Sequence, residues 1–92
     1  MTIEIVWSPL AQAQLSEIRA YVAMDKPDAA SRLATRIVSV VESLRNHPYL
    51  GRAGPEPGTR ELIIGGTPYS IVYRVHSNRI TVNTICHSAQ RK

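Results

Sequence analysis

The sequence predicts an α+β fold of order βααβββ, with two helices packed on one face of a mostly antiparallel sheet. Two observations lead to this prediction. Apolar residues recur at helical spacing between residues 9 and 45, whereas residues 2–7 and 59–86 show the alternation or apolar runs that strands require. Because the helices are grouped and the strands are grouped, the order is typical of a two-layer domain and not of a parallel βαβ protein.

The first strand and the first helix follow one another without a linker. The strand is predicted at Thr2–Trp7, where every second side chain is a large apolar one. Ser8 is a typical helix N-cap, and Pro9 suits the first helical position, where its missing N–H costs no hydrogen bond. The helix is predicted to run to about Ala23, with one apolar face formed by Ala11, Leu15, Ile18 and Val22.

The second helix has the clearest periodicity in the chain. It is predicted from Pro27 to about Arg45, with Asp28 suiting the positive end of the helix dipole and Arg45 the negative end. The turn between the helices, residues 24–26, is so short that an antiparallel hairpin is expected. Apolar positions step by three and four over four turns, at Ala30, Leu33, Ala34, Ile37, Val40, Val41 and Leu44.

A long loop precedes the remaining strands. Residues 47–59 contain three prolines and three glycines, and a loop of this length is expected to contact a partner. A β-hairpin follows, in which the apolar run 62–64 and the alternating segment 69–75 flank a Gly-Gly-Thr-Pro turn. A tight turn at 76–78 leads to the last strand, which is predicted at residues 79–86.

Alternation divides the side chains of the last two strands between a covered face and an open face. The face under the helices is predicted to carry Ile71, Tyr73, Ile80, Val82 and Cys86. The open face is predicted to be polar and basic, with Ser70, Arg74, Arg79, Thr81, Asn83 and His87. Such a surface would suit an acidic macromolecule.

Composition limits the classes of function. Ninety-two residues predict one domain, 1–92, and a net charge of +4 with nine arginines favours nucleic acid or an acidic protein as partner. The single Cys86 excludes an internal disulfide, and no signal peptide or membrane span is predicted, so a cytoplasmic location is expected. There is no P-loop, GxGxxG or zinc spacing, and neither a cofactor nor a metal is expected.

Six segments carry a family resemblance when taken in order: WSPLAQAQLSEIRAYVA, KPDAASRLATRIVSVVESL, HPYLGR, PGTREL, TPYSIVYRV and ICHSAQR. Together they resemble the toxins of the RelE/ParE superfamily from bacterial type II toxin–antitoxin systems, and PGTREL and TPYSIVYRV are more similar to the ParE side. The resemblance implies a βααβββ fold and an antitoxin, encoded beside the toxin, whose C-terminal segment wraps it. RelE-like members cleave mRNA in the ribosomal A site, whereas ParE-like members poison DNA gyrase.

The candidates for nuclease chemistry form an incomplete set. A metal-free ribonuclease needs a base, an acid and cations around one phosphate. The available candidates are Arg60, Glu61, Arg74, His87 and Arg91, and the nuclease alternative uses three of them, Arg60, Arg74 and His87. No tyrosine follows Tyr73 to serve as the C-terminal aromatic that the resemblance implies, and the loop before Arg60 has no lysine. A purely structural role remains open for each of the three. Arg60 could form a solvated ion pair, Arg74 could be a paired arginine, and His87 could be a histidine at the edge of the sheet.

The favoured interpretation is a ParE-like toxin that binds and poisons DNA gyrase and has no catalytic residues of its own. Its predicted target contacts are Arg60, Arg74, His87, Arg91 and Lys92. An acidic, amphipathic antitoxin segment is expected to lie over the helices, where it meets Arg19, Arg32, Arg36 and Arg45, and to reach the open face of the sheet. Two alternatives stay open: a ribosome-dependent endoribonuclease that uses Arg60, Arg74 and His87, and a degenerate family member that binds antitoxin but poisons nothing.

Overall fold

The α+β architecture is confirmed in the computed structural model, which describes residues 2–88. Two helices form a hairpin, and five strands form one sheet. In chain order the elements are β1 Glu4–Trp7, α1 Pro9–Ala23, α2 Pro27–Ser43, β2 Arg52–Ala53, β3 Thr59–Ile63, β4 Tyr69–Val75 and β5 Arg79–His87.

The sheet is mixed, with strand order β1-β5-β4-β3-β2. β1 runs parallel to β5, while the β5–β4, β4–β3 and β3–β2 pairs are antiparallel. The chain leaves β1, crosses one face of the sheet as the helical hairpin, and then builds the other strands back towards β1. β2 lies inside the segment that the sequence predicts as irregular, and its two exposed residues are too few to show an alternation.

The helices begin where the sequence predicts. Ser8 caps α1 by accepting a hydrogen bond from the Ala11 backbone N–H at 3.0 Å, and prolines occupy the first turns of both helices. The periodic positions of α2 are confirmed as its inner face, because Ala30, Ile37 and Val41 are buried. Neither α1 nor α2, in the part of the chain that the structure describes, is long and apolar enough to cross a membrane.

The core lies between the hairpin and the sheet and is almost entirely aliphatic. Tyr73 is its largest fully buried side chain, and the partly buried Trp7 packs against its edge. Its buried members are Ala11 from α1, Ile37, Val41 and Leu44 from the α2 region, and Ile64, Ile71, Tyr73, Ile80, Val82 and Ile85 from the sheet region.

A β-bulge at Asn83 corrects one prediction about the faces of the sheet. Val72 pairs with Thr84, but the next residue of β4 pairs with Val82, so Asn83 is an extra residue without a direct partner. Beyond this point the alternation of β5 is reversed. Cys86 therefore lies on the open face and His87 on the helical face, opposite to the prediction, because strict alternation does not allow for an inserted residue.

The free edge of β1 is capped by two side chains from the helical layer. The Gln12 amide donates to the Trp7 carbonyl at 2.9 Å, and the Arg45 guanidinium donates to the Ile3 carbonyl. Arg45 also pairs with Glu42 at 2.7 Å. These contacts occupy backbone acceptors that another strand would otherwise use.

Candidate functional site

The open face of the sheet is less cationic than its sequence suggests. Of its arginines, Arg79 lies 3.4 Å from the Glu4 carboxylate, and Arg52 lies 3.7 Å from the Glu61 carboxylate. Glu61 lies on the same face as Ser70, because it pairs with Val72 of β4, which is two residues from the serine along the strand. The open face thus combines basic and acidic side chains, and its positive charge is partly neutralised.

Glu61 is the buried charge of this face, since only 3% of its surface is exposed. The Ser70 hydroxyl donates a 2.8 Å hydrogen bond to one carboxylate oxygen, and Arg52 approaches the other. A buried carboxylate requires such partners, because its desolvation costs several kcal/mol when it is left unpaired. The group therefore has a structural role in joining β2, β3 and β4.

Arg74 lies on the open face, as predicted, and is half-buried. Its guanidinium is 3.4 Å from the Pro57 carbonyl and stands over Gly58, where an added Cβ would come within 2.5 Å of Nη1. Its cross-strand neighbour Thr59 holds the same loop by donating to the Glu56 carbonyl at 2.6 Å. Arg74 thus packs against the loop at residues 54–58.

Arg60 lies on the opposite face of the sheet from Arg74, because it pairs directly with Tyr73. Its guanidinium donates to the Gly51 carbonyl at 2.8 Å and to the Tyr49 carbonyl at 3.4 Å. The Tyr49 ring centroid lies 4.9 Å from the guanidinium carbon, which is a cation–π contact. The charge of Arg60 is therefore directed at the chain's own loop.

Tyr73 completes the attachment of this loop. Its hydroxyl donates to the Pro48 carbonyl at 2.9 Å and accepts from the Gly51 N–H at 2.8 Å. Burial raises the pKa of the Tyr73 hydroxyl, although the Gly51 hydrogen bond and the charge of Arg60 act in the opposite direction. Tyr73 is thus a neutral, doubly hydrogen-bonded anchor at neutral pH.

His87 faces a cleft of about 370 Å³ between α1 and the sheet. Its ring meets the Tyr69 ring edge-on, with centroids 5.0 Å apart, and Glu17 and Gln14 contribute polar groups to the cleft wall. Burial raises the pKa of the Tyr69 hydroxyl, and the nearby Tyr21 adds to this shift. The imidazole is thus placed against the helix and not on the predicted open face.

The structure does not bring Arg60, Arg74 and His87 together. Arg60 and Arg74 lie on opposite faces of the sheet. His87 pairs with Tyr69, whereas Arg60 pairs with Tyr73, and these two tyrosines are four residues apart along β4. At about 3.3 Å per residue, this separation is roughly 13 Å along the strand. The predicted contacts Arg91 and Lys92 lie outside the described residues.

The outer surface of the helical hairpin carries a groove of about 570 Å³ between α1 and α2. Its floor is formed by small and apolar side chains, and Arg19 stands on its α1 side. Arg32 and Arg36 line an adjoining hollow on α2. Of the four arginines predicted to meet an antitoxin, Arg36 donates to the Gly65 carbonyl at 3.2 Å and Arg45 caps the β1 edge.

Within residues 2–88, no group of three or more histidine, cysteine, aspartate or glutamate side chains is arranged to hold a metal ion. The thiol of Cys86 is half-buried on the open face, and burial raises its pKa. A raised pKa lowers the thiolate fraction and hence the reactivity of a cysteine at neutral pH.

A comparison with known families identifies the chain. The family model of the ParE toxin of the type II toxin–antitoxin system parDE matches residues 5–91. The chain belongs to the ParE toxin family. This ParE toxin is 40% identical over 87 residues to Y4kP of Sinorhizobium fredii, a protein described as a candidate toxin, and the match covers 95% of this chain and 90% of the relative.

Two further relatives place this ParE toxin within the wider superfamily. It is 34% identical over 87 residues to the toxin RelE2 of Caulobacter vibrioides, a match that covers 95% of this chain and 97% of the relative. It also matches a solved chain of the chromosomal ParDE toxin–antitoxin system from P. aeruginosa, with a TM-score of 0.85 and 26% identity, over 92% of this chain and 95% of that one.

Sequence reasoning missed the residues that hold the bulge of this ParE toxin. The Ser8 hydroxyl donates to the Asn83 carbonyl at 2.7 Å, and the Gln14 carbonyl oxygen accepts from the Ile85 N–H at 2.7 Å. It also accepts from the Thr84 hydroxyl at 3.0 Å. The N-cap pattern marked Ser8 as a helix start, but no local signal connects α1 with residues some 70 positions away.

Proposed function

We propose that this ParE toxin inhibits growth by binding and poisoning DNA gyrase, and that a cognate antitoxin neutralises it. Membership of the ParE family supports this proposal, because the sequence resemblance implies that ParE-like members poison DNA gyrase. The observation that carries it is the dispersal of Arg60, Arg74 and His87 over two faces and two ends of the sheet.

The dispersal argues against the nuclease alternative. Base, acid and phosphate-binding cations must lie within hydrogen-bond reach of the same reacting phosphate. Arg60 donates to two loop carbonyls, and Arg74 packs on the loop at residues 54–58, so each has a structural partner. Because Arg60, Arg74 and His87 do not converge within residues 2–88, inhibition of a target by binding is the better-supported mechanism.

The five residues predicted to contact the target do not all belong to one surface. Among the described members of the set, Arg74 lies on the open face, whereas Arg60 and His87 lie on the helical side. A single flat contact surface cannot include all three. Among the described residues we therefore keep Arg74 as the gyrase contact and give Arg60 a positioning role in the loop that follows α2. Arg91 and Lys92 stay proposed gyrase contacts that lie outside the described residues.

A gyrase assay tests the proposal directly. Purified toxin is added to the DNA gyrase tetramer with plasmid DNA, and both cleaved plasmid and supercoiling activity are measured. We expect cleaved complexes to accumulate and supercoiling to fall, and we expect Arg74→Glu to weaken both effects. If neither effect is observed with folded toxin, the proposal is wrong.

Primer extension on translated mRNA tests the alternative in the same preparation. A RelE-like endoribonuclease would produce cuts at the ribosomal A site, and these would disappear in His87→Ala. We expect no such cuts. A third outcome, in which induced and folded toxin causes no growth defect, would indicate a degenerate family member.

The antitoxin is proposed to bind the groove between the helices through an acidic, amphipathic segment. The groove combines an apolar floor with Arg19 on its rim, and Arg32 stands beside it. Opposite charges of this kind accelerate association in a salt-dependent manner. Arg32→Glu should therefore slow association and flatten its salt dependence. Arg79→Glu, a matched charge change on the open face at a residue that pairs with Glu4, should have a smaller effect.

A further inference from the structure

Tyr49 and Leu50 expose apolar side chains on a turn next to the C-terminal end of α2. Their exposed fractions are 65% and 56%. The turn is closed by a hydrogen bond from the Leu50 N–H to the His47 carbonyl at 3.1 Å, and Pro48 within it restricts the backbone further. Large apolar side chains on a solvent-exposed turn contribute little to the core.

The turn is nevertheless attached to the sheet by buried and half-buried side chains. Tyr73 bonds to the Pro48 carbonyl and the Gly51 N–H, and Arg60 bonds to the carbonyls of Tyr49 and Gly51. Four backbone groups of residues 48–51 are thus held by two side chains. The turn cannot move without breaking these bonds.

Gly51 makes the attachment tighter. A Cβ at this position would lie 2.8 Å from the Glu61 carbonyl oxygen and 2.8 Å from the Tyr73 hydroxyl. The backbone of the loop therefore sits directly on β3 and β4. In addition, the Arg60 guanidinium supports one face of the Tyr49 ring at 4.9 Å and leaves the rest of the ring to solvent.

This arrangement has the features of a preorganised binding surface. Ordering a flexible backbone on binding costs conformational entropy, and in this turn the backbone is already ordered before any partner arrives. Tyrosine is enriched among the residues that dominate binding energy at protein interfaces, where it fills desolvated pockets. A rigid turn that exposes a tyrosine beside a leucine can therefore bind an apolar pocket at a low entropic cost.

We propose that the Tyr49–Leu50 turn is the surface through which this toxin inserts an aromatic and an aliphatic side chain into an apolar pocket of its protein target. The inference rests on the proposed function, namely that the toxin acts by binding a protein. Among residues 2–88, Arg60 next to the turn donates to carbonyls and Arg52 lies near the Glu61 carboxylate, so phosphate contacts by these two side chains are not favoured. Leu50 adds apolar surface that a nucleic-acid base would not use.

The turn is separate from the surface proposed for the antitoxin. The residues that line the groove between the helices all lie between positions 15 and 39 and include none of the turn. Substitutions in the turn can therefore affect target binding without weakening neutralisation. This separation makes the inference testable with the intact toxin.

The test uses the double variant Tyr49→Ser with Leu50→Ser in the full chain. Its matched control is Tyr21→Ser with Met24→Ser, which removes an aromatic and an aliphatic side chain with exposed fractions of 75% and 86%. Growth inhibition, inhibition of the DNA gyrase tetramer, and affinity for the antitoxin from the neighbouring reading frame are measured for both. Thermal unfolding confirms that each variant is folded.

We expect half-maximal gyrase inhibition to require a concentration of the turn variant at least about tenfold higher than that of the wild type. The affinity of the turn variant for the antitoxin should change less than about threefold. The control should match the wild type. Tyr49→Phe, which keeps the ring, should retain most of the activity. Unchanged gyrase inhibition by the turn variant would overturn the inference, and so would an equal loss of antitoxin affinity.

The same measurements distinguish an error in the proposed gyrase function from an error in the inference about the turn. If the wild type leaves gyrase unaffected but the turn variant loses growth inhibition with antitoxin affinity intact, another protein is the target and the turn still contacts it. If the wild type cuts mRNA at the A site and the turn variant loses this cutting, the turn contacts RNA and the inference is wrong.

Discussion

Tyr73→Phe isolates the hydroxyl that holds the 48–51 loop. The substitution keeps the buried ring and removes one oxygen, which donates to the Pro48 carbonyl at 2.9 Å and accepts from the Gly51 N–H at 2.8 Å. Gly51 is buried, so its N–H loses its partner in a place from which water is excluded. The loop has to move outward or leave this N–H unpaired.

The expected cost follows from these two bonds. A neutral hydrogen bond contributes about 1 kcal/mol net, and a buried donor left unpaired costs about 1–3 kcal/mol, so we expect a loss of about 2 kcal/mol. For a domain of this size, each kcal/mol lowers Tm by about 4–8 °C, which gives a decrease of about 8–16 °C. Because the ring stays and only one oxygen is lost, no cavity of methyl size or larger forms, and the figure contains only the hydrogen-bond contribution.

Urea denaturation and amide hydrogen exchange measure the effect. Tyr69→Phe is the control, since it removes a hydroxyl from the same face of β4 and no hydrogen bond of the Tyr69 hydroxyl is found within residues 2–88. Exchange at Gly51 should accelerate in Tyr73→Phe, and gyrase inhibition should weaken because the turn is less ordered. Equal stability losses in the two variants would show that the loop does not depend on this anchor.

Three further predictions concern the backbone and the titrating groups. Gly58→Ala should cost about 1–2 kcal/mol in denaturant titrations because φ is +81° there, whereas Gly65→Ala, a control at a residue without a positive φ, should cost less. Gln14→Leu should cost about 1–3 kcal/mol, because it leaves a backbone N–H of the bulge without its acceptor; an unchanged unfolding midpoint would contradict this. Burial raises the pKa values of Tyr73 and Cys86 above their ordinary 10.0 and 9.0, so the folded state binds these protons more tightly. Stability should therefore be complete below about pH 9 and be lost as the pH rises through the raised pKa values, with a shallower loss in Tyr73→Phe.

The helices were predictable because their signals are local. Pro9 and Pro27 mark both starts, and the three- and four-residue steps of α2 define its buried face. β2 was not predictable, because its two exposed residues form a strand only through their pairing with β3. Its existence depends on how the loop folds back and not on the composition of the segment.

The candidate site was predictable only in part for a related reason. The alternation of β4 correctly places Arg74 on the open face, since no bulge interrupts that strand. The placement of His87 depends on Asn83, whose extra position is stabilised by Ser8 and Gln14 of the distant α1. The position of Arg60 opposite Tyr73 depends on the register between β3 and β4. This register cannot be deduced from the length of the connecting loop alone.

The bulge at Asn83 has a consequence for comparing homologous toxins. A relative that lacks this one residue would present a histidine aligned with His87 to solvent on the far side of the sheet, although the two sequences would differ by a single gap. Aligned columns beyond this position therefore do not identify equivalent surfaces. Before a catalytic role known for a relative is assigned to a residue at the end of β5, the alignment must show whether that relative also has the inserted residue.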